Sequence, residues 1–86
     1  AIRPDREWRL RVAGLRYDLG EEEAALAAWQ AAVAAEETPA AEIAEVAALL
    51  AGRDFPAEAE ALYRRAIEKA PDQLDHVLAL ARLLQN

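Results

Sequence analysis

The sequence predicts an all-α protein in which antiparallel helix pairs repeat along one small domain. Alanine occupies 23 of the 86 positions and leucine 12, against only 3 Gly and 4 Pro, and this composition favours helices. Apolar residues recur at intervals of three and four rather than alternating, which is the period of an amphipathic helix. The apolar pattern itself returns after about 34 residues, a period typical of helical repeat arrays.

The first two helices are expected at about residues 5–19 and 21–36. A Pro-Asp pair precedes the first periodic run, and Gly20 ends it. Three consecutive glutamates beginning at Glu21 lie in the first turn of the second helix, where the helix dipole favours negative charge. We favour this role for the three carboxylates over a metal site.

The third and fourth helices are expected at about residues 39–51 and 56–69. Thr38 is placed as the N-cap of the third helix and Pro39 as its first residue, where the missing N–H of proline costs nothing. A Gly-Arg-Asp-Phe-Pro turn separates these two helices.

The fifth helix is expected at about residues 72–85. Asp72 is placed as its N-cap, and Asp75 follows three residues later in a spacing like that of a capping box. Because the connections between all five helices span only a few residues, consecutive helices are expected to form antiparallel hairpins.

The apolar faces of the helices correspond when the chain is shifted along itself by one such period. The second and fourth helices share one series of residues. The third and fifth share another, which the first helix joins after a one-residue slip. The matched pairs are Ala25/Ala59, Trp29/Tyr63, Ala32/Ala66 and Val33/Ile67, then Ile43/Val77, Val46/Leu80, Ala47/Ala81 and Leu50/Leu84, with Leu10, Ala13, Gly14 and Tyr17 in the first helix.

A helix–turn–helix unit with a period of about 34 residues resembles the tetratricopeptide repeat (TPR) family. Gly14 and Tyr17 are similar to the small-then-aromatic pair of that family's first helix. The alanine–aromatic–alanine sets and Pro71 are similar to its second helix and closing proline. The chain departs from the family at Ile43, where a Trp is common, and at Glu37, where the first closing proline is expected. The resemblance covers the whole chain as two repeats plus the first helix of a third.

This resemblance implies a right-handed superhelix of antiparallel helix pairs. It divides the chain into repeat 1 at about 5–37, repeat 2 at about 38–71, and a partial repeat or capping helix at 72–86. We expect these 86 residues to be part of a longer protein. A plain alanine-rich antiparallel bundle is the alternative, but a bundle gives no reason for a fixed register between successive hairpins.

Small side chains explain how such helix pairs can pack, because two helices approach closely only where side chains are small. A single hairpin cannot bury its apolar face alone, so stability is expected to come from stacking against neighbouring hairpins. The predicted close-contact positions are Ala13, Gly14, Ala25, Ala32, Ala47, Ala59, Ala66 and Ala81.

By analogy with the TPR family, the first helix of each repeat lines a concave groove that holds an extended peptide or a helix of another protein. Small residues in the middle would leave room for a bulky ligand side chain, or would only reflect helix propensity. A chaperone carboxylate clamp of the TPR type is not expected, because Arg11 is the only cation at a corresponding place. The predicted groove residues are Trp8, Arg11, Leu15, Ala41, Ala44, Glu45, Ala48, Asp75, Leu78, Ala79 and Arg82.

The last helix suggests a second kind of contact. It is apolar over most of its circumference, whereas a terminal capping helix should be polar on its outer side. Either the natural chain continues with a partner helix, or this helix docks on another copy of the chain. We expect self-association through Leu74, Leu78 and Leu83.

The composition disfavours several classes of function. The 16 Asp+Glu outweigh the 10 Lys+Arg to give a net charge of −6, which disfavours a nucleic-acid or anionic-membrane binder. No apolar run approaches the roughly 18 residues of a membrane span. With no Cys, no Ser and 1 His, the chain is not expected to be an enzyme or to hold a metal or cofactor. The preference for Arg over Lys suggests a bacterial source, with cytoplasm and periplasm equally open.

Three functions remain after these exclusions. The chain is an interaction scaffold that binds a partner's peptide or helix in its groove, a structural module that oligomerises or spaces its parent protein, or a regulatory appendage of an enzyme. A ligand in the groove distinguishes the first from the second, and flanking sequence would decide the third.

Overall fold

The computed structural model describes the backbone of residues 4–85 and the side chains of residues 8–85. Over this range the protein is all-α and contains no strand, which confirms the predicted fold class. The five helices are α1 (Pro4–Asp18), α2 (Glu22–Ala32), α3 (Ala40–Ala51), α4 (Pro56–Lys69) and α5 (Leu74–Gln85).

The chain divides into two compact units. Unit 1 (Ala1–Glu36) contains α1 and α2, and unit 2 (Glu37–Asn86) contains α3, α4 and α5. Within each unit, helices that are adjacent in the sequence pack against each other. The short connections between them therefore produce packed helix pairs, as the sequence predicts.

Unit 1 is held together by a small core between α1 and α2. Ala13 of α1 and Ala25, Trp29 and Val33 of the second segment are buried. The ring of Trp29 lies against that of Tyr17, with centroids 5.9 Å apart and planes inclined at 46°. A tilted aromatic pair of this kind adds about 1 kcal/mol beyond the area that it buries.

Gly20 forms the tight turn between α1 and α2. Its φ of 90° lies in a region that residues with a Cβ rarely adopt. The N–H of Gly20 donates to the carbonyl of Tyr17 at 3.0 Å, and the N–H of Glu21 donates to that of Arg16 at 2.8 Å. These bonds satisfy carbonyl groups at the C-terminal end of α1 that have no partner inside the helix.

Unit 2 is built on the α3–α4 pair, whose facing sides are covered. α5 packs on α4 and also touches α3, with Leu80 lying against Ala47 and Tyr63. One apolar cluster therefore joins all three helices of this unit. The buried residues of α3 and α4 are Ile43, Val46, Ala47, Leu50, Ala59, Tyr63 and Ala66.

α2 is shorter than predicted, because it ends at Ala32 rather than near residue 36. Val33 leaves the helical conformation, with φ −123° and ψ 17°, and its side chain is buried. A longer helix would place Glu36 and Glu37 at the negative end of its dipole, which opposes extension. Helix propensity alone therefore overestimated the length of α2.

The predicted N-cap of the third helix is wrong. α3 begins at Ala40, and Pro39, with an extended ψ of 147°, is the residue that caps it. The carbonyl of Pro39 accepts hydrogen bonds from the N–H groups of Glu42 at 3.1 Å and Ile43 at 3.2 Å. Thr38 lies outside the helix and is buried.

The predicted start of the fifth helix is also wrong. α5 begins at Leu74, and Asp72 lies in the preceding turn. The N–H of His76 donates to the carbonyl of Gln73 at 3.3 Å, so Gln73 supplies the acceptor that Asp72 was expected to supply. The fourth helix, in contrast, spans Pro56–Lys69 as predicted, because a proline in the first turn favours a helix start there.

Gly14 and Ala81 are not close-contact positions, although the sequence pattern predicts that they are. A Cβ added at Gly14 would meet no atom of a neighbouring element within 4 Å, and Ala81 is exposed. Among the residues that the structure describes, no partner helix therefore requires a small residue at either place. The other predicted positions, all buried or half-buried, are Ala13, Ala25, Ala32, Ala47, Ala59 and Ala66.

Candidate protein-interaction surfaces

An apolar stripe runs along the exposed side of α1. Trp8, Leu15 and Leu19 are each more than half exposed, and the N–H of Leu19 still donates to the carbonyl of Leu15 at 3.0 Å. The seven-residue spacing places Trp8 and Leu15 on one face of α1, away from the buried Ala13, and Leu19 follows directly after the last residue of the helix, Asp18. We call this face the α1 stripe. The predicted groove residue Arg11 is exposed as well.

A hollow of about 600 Å³ lies between α1 and α2 within unit 1. Its α2 wall consists of three alanines at spacings of four and three residues, a face that the sequence analysis did not single out although its spacing is visible there. Two arginines complete the lining, and one of them, Arg16, lies 3.6 Å from a carboxylate oxygen of Glu21. The lining residues are Trp8, Arg9, Val12, Arg16, Ala24, Ala28 and Ala31.

Of the three α1 residues predicted to face a groove, only Trp8 lines this hollow; Arg11 and Leu15 do not. Trp8 therefore has one side toward the hollow while more than half of its surface is exposed. Tryptophan is among the residues that contribute most to binding energy at protein interfaces. Its position makes Trp8 the candidate anchor of unit 1.

The predicted groove residues of α3 fall into two groups. Ala41, Glu45 and Ala48 are exposed, on a different face from the buried residues that contact α4. Ala44 is half-buried and packs against the cluster that contains Leu80. Ala44 therefore contributes to the core of unit 2 rather than offering its side chain to a ligand.

The predicted residues of α5 divide in the same way. Asp75, Leu78 and Arg82 are exposed, whereas Ala79 is half-buried and packs against the core cluster of unit 2. Leu83, predicted to mediate self-association, is also half-buried against that cluster. Leu83 therefore already has a partner within its own unit, and its role in self-association stays a prediction.

The face of α5 that corresponds to the covered face of α3 is open. Ile43 and Leu50 of α3 have 0% exposure, whereas their counterparts in the next repeat, Val77 and Leu84, are 39% and 55% exposed. α4 covers this face of α3, and no helix among residues 4–85 takes the same place on α5. The residues of this open face, which we call the α5 stripe, are Leu74, Val77, Leu78, Ala81 and Leu84.

A smaller hollow of about 260 Å³ opens beside Tyr63 in unit 2, where Ala79, Arg82 and Leu83 of α5 meet Ala51 of α3. Burial raises the pKa of the Tyr63 hydroxyl above its usual value of 10.0, because desolvation disfavours the charged phenolate. The hydroxyl therefore stays protonated at neutral pH.

The described residues offer no constellation for metal chemistry, since among them no three His, Cys, Asp or Glu side chains come together in a way that could hold an ion. None of the helices in the described range combines the length and the apolar character that a bilayer crossing requires. The surfaces that stand out are apolar faces of α1 and α5 and a face of small residues on α3.

Comparisons with known proteins add no identification. No family model matches the chain, and no curated protein or solved structure matches it significantly.

Proposed function

We propose that the chain is a TPR-like interaction module that binds a peptide or a helix of a partner protein rather than catalysing a reaction. The binding residues would lie on the exposed faces of α1, α3 and α5, the helices that line the concave side of a TPR-like array. Trp8, Arg11 and Leu15 are the candidates in unit 1. In unit 2 they are Ala41, Glu45, Ala48, Asp75, Leu78 and Arg82.

The observation that carries this proposal is the surface of unit 2. α3 and α5 contact each other, and both leave a face exposed. Ala41 and Ala48 supply small side chains on α3, and Leu78 supplies an apolar one on α5. Small residues on a helix leave room for the side chains of an incoming helix or strand. Burial of those side chains against an apolar neighbour is favourable.

The charges on these helices favour a partner with both signs of charge. Glu45 on α3 and Asp75 on α5 are exposed acids, and Arg82 on α5 is an exposed base. Complementary charges at the rim of an interface select the partner and its orientation more than they increase affinity.

The test is to select ligands from a displayed random peptide library and to measure their Kd for matched variants. Ala48→Gln should weaken binding about tenfold, which corresponds to about 1.4 kcal/mol, because the longer side chain fills the space proposed for the ligand. Ala61→Gln is the control, since Ala61 is an exposed alanine of α4 outside the proposed surface. Equal Kd values for the two variants would contradict the proposal.

Self-association is the second candidate function, and the α5 stripe favours it. Leu74 is 69% exposed and Leu78 is 55% exposed, although burying a leucine is worth about 1.5–3 kcal/mol. In this reading the module oligomerises or spaces its parent protein and needs no other ligand. Sedimentation equilibrium tests it: an apparent mass that stays monomeric up to about 1 mM chain would exclude it, because binding weaker than this gives less than about 4 kcal/mol.

A further inference from the structure

We propose that the α5 stripe pairs with the α5 stripe of a second copy of the chain, with the two helices antiparallel. This inference rests on the second candidate function and specifies its surface, its orientation and its ion pairs. The stripe consists of Leu74, Val77, Leu78, Ala81 and Leu84, and it excludes Leu83, which packs within its own unit.

The first reason is that α5 has two apolar faces and uses only one of them. Leu80 and Leu83 are turned toward the core of unit 2, and the α5 stripe lies on the opposite side of the helix at about 100° per residue. Val77, Ala81 and Leu84 of the stripe also occupy the register of Ile43, Ala47 and Leu50, which are fully buried on α3. The internal repeat therefore shows what normally covers such a face: another amphipathic helix.

The second reason is the near-symmetry of the stripe about its own midpoint, Ala79. In an antiparallel pair centred there, Leu74 of one copy meets Leu84 of the other, and Val77 meets Ala81. Each end thus brings two leucines together, and each inner position matches a larger side chain with a smaller one. Matching of this kind allows close packing between helices. A two-fold interface uses the same surface on both partners, and a second copy of the chain carries the same stripe.

The third reason is the charge at the edge of the stripe. Asp75 and Arg82 are exposed and lie seven residues apart, about two helical turns, on the same edge beside Leu78. When two helices face each other antiparallel, like edges meet, so Asp75 of each copy faces Arg82 of the other. A parallel pair would instead bring that edge against the opposite one. The charges therefore select the antiparallel arrangement.

The surface is tested by sedimentation equilibrium of the full chain at concentrations between about 1 µM and about 1 mM. This range brackets the Kd expected for an interface of one helix per partner. We expect a monomer–dimer equilibrium whose Kd rises at least about tenfold in Leu84→Lys and in Leu74→Lys, since each change removes an apolar contact twice per dimer. Ala61→Lys is the control, because Ala61 is an exposed residue of α4 outside both stripes, and its Kd should stay within about twofold. Equal effects at Ala61 and Leu84 would overturn the proposed surface.

The orientation is tested by charge-swap mixing. Asp75→Arg alone and Arg82→Asp alone should each dimerise about tenfold more weakly than the wild type, because like charges then face each other. A mixture of the two variants should form a heterodimer with about wild-type affinity, since each of its two cross pairs joins an arginine of one copy to an aspartate of the other. Circular dichroism of each variant checks that the helices remain.

The two experiments distinguish the antiparallel pairing of the α5 stripes from self-association in general. If the wild type dimerises but the mixture is no tighter than either variant alone, the antiparallel pairing is overturned while self-association stands. If the wild type is monomeric throughout, both are overturned.

Discussion

Two glycines with different backbone conformations provide a matched test of the turn in unit 1. Gly20 has φ 90°, whereas Gly52 has φ −77° and ψ −7°, and a Cβ at Gly52 would meet nothing closer than 3.7 Å. Gly20→Ala should lower the free energy of unfolding by about 1–2 kcal/mol. Gly52→Ala should change it by less than about 0.5 kcal/mol.

Urea unfolding checks both variants. Both tryptophans lie in unit 1, so their fluorescence reports the change at Gly20, and far-ultraviolet circular dichroism reports the change at Gly52. A Gly20→Ala variant as stable as the wild type would show that the turn between α1 and α2 tolerates a side chain.

Tyr63 makes the stability of the protein vary with pH in the alkaline range. Its pKa is raised above 10.0 by burial, so above pH 10 the unfolded chain loses the phenolic proton before the folded chain does. The contribution of the protonated Tyr63 to the free energy of unfolding is therefore fully present below pH 10. It is lost as the pH rises through the folded-state pKa. Tyr63→Phe should flatten this decline.

The measurement is urea unfolding of the wild type and of Tyr63→Phe at several values between pH 9 and about pH 12. If the free energy of unfolding of Tyr63→Phe falls as steeply with pH as that of the wild type, Tyr63 is not the group responsible.

At the level of the helices, Leu50 and Leu84 are the same residue type in the same register with different surroundings. Leu50 has 0% exposure beneath α4, and Leu84 has 55%. Leu50→Ala should cost about 2–5 kcal/mol because it leaves a cavity. Leu84→Ala should cost less than about 1 kcal/mol in dilute protein. Chemical denaturation at about 5 µM, well below the concentrations expected for association, compares them; similar costs would mean that the outer face of α5 is already covered.

The sequence predicted the existence of all five helices because a three- and four-residue apolar period is a strong signal over a window of about 11 residues or more. The helix ends were harder to predict. At Thr38 the pattern of a good N-cap was present, but the extended conformation of Pro39 moved the start of α3 by one residue. At α2, uniform alanine gave no stop signal, and the end was set by the burial of Val33. Asp54 lies in the predicted turn between the third and fourth helices, but the sequence did not show that Asp54, with φ 65°, takes the left-handed conformation there.

The candidate surfaces were predictable only in part. Periodicity correctly separated the exposed Ala41 and Ala48 from the covered face of α3. It could not show that Ala44 and Leu83 pack inward, because a residue at the boundary between two faces is assigned by its neighbouring helices rather than by its own spacing. TPR membership, a groove ligand and a bacterial source stay predictions.

For the molecule as a whole, self-association makes thermal stability depend on protein concentration. Dimerisation stabilises the folded state by mass action, so raising the chain concentration from about 5 µM to about 500 µM should raise the Tm by a few degrees. The Leu84→Lys variant should show no such shift. Differential scanning calorimetry measures both, and a wild-type Tm that is independent of concentration would contradict the prediction.

The open face of α5 also gives protein engineers a place to lengthen the chain. In the 34-residue register, residue 86 corresponds to Gly52. A copy of residues 53–71 fused after residue 86 would therefore place a second α4 helix over the exposed Val77 and Leu84. Tethering would present that helix at an effective concentration of about millimolar, enough to outcompete a weakly bound neighbour. The fused protein would then be a monomer whose last hairpin is complete.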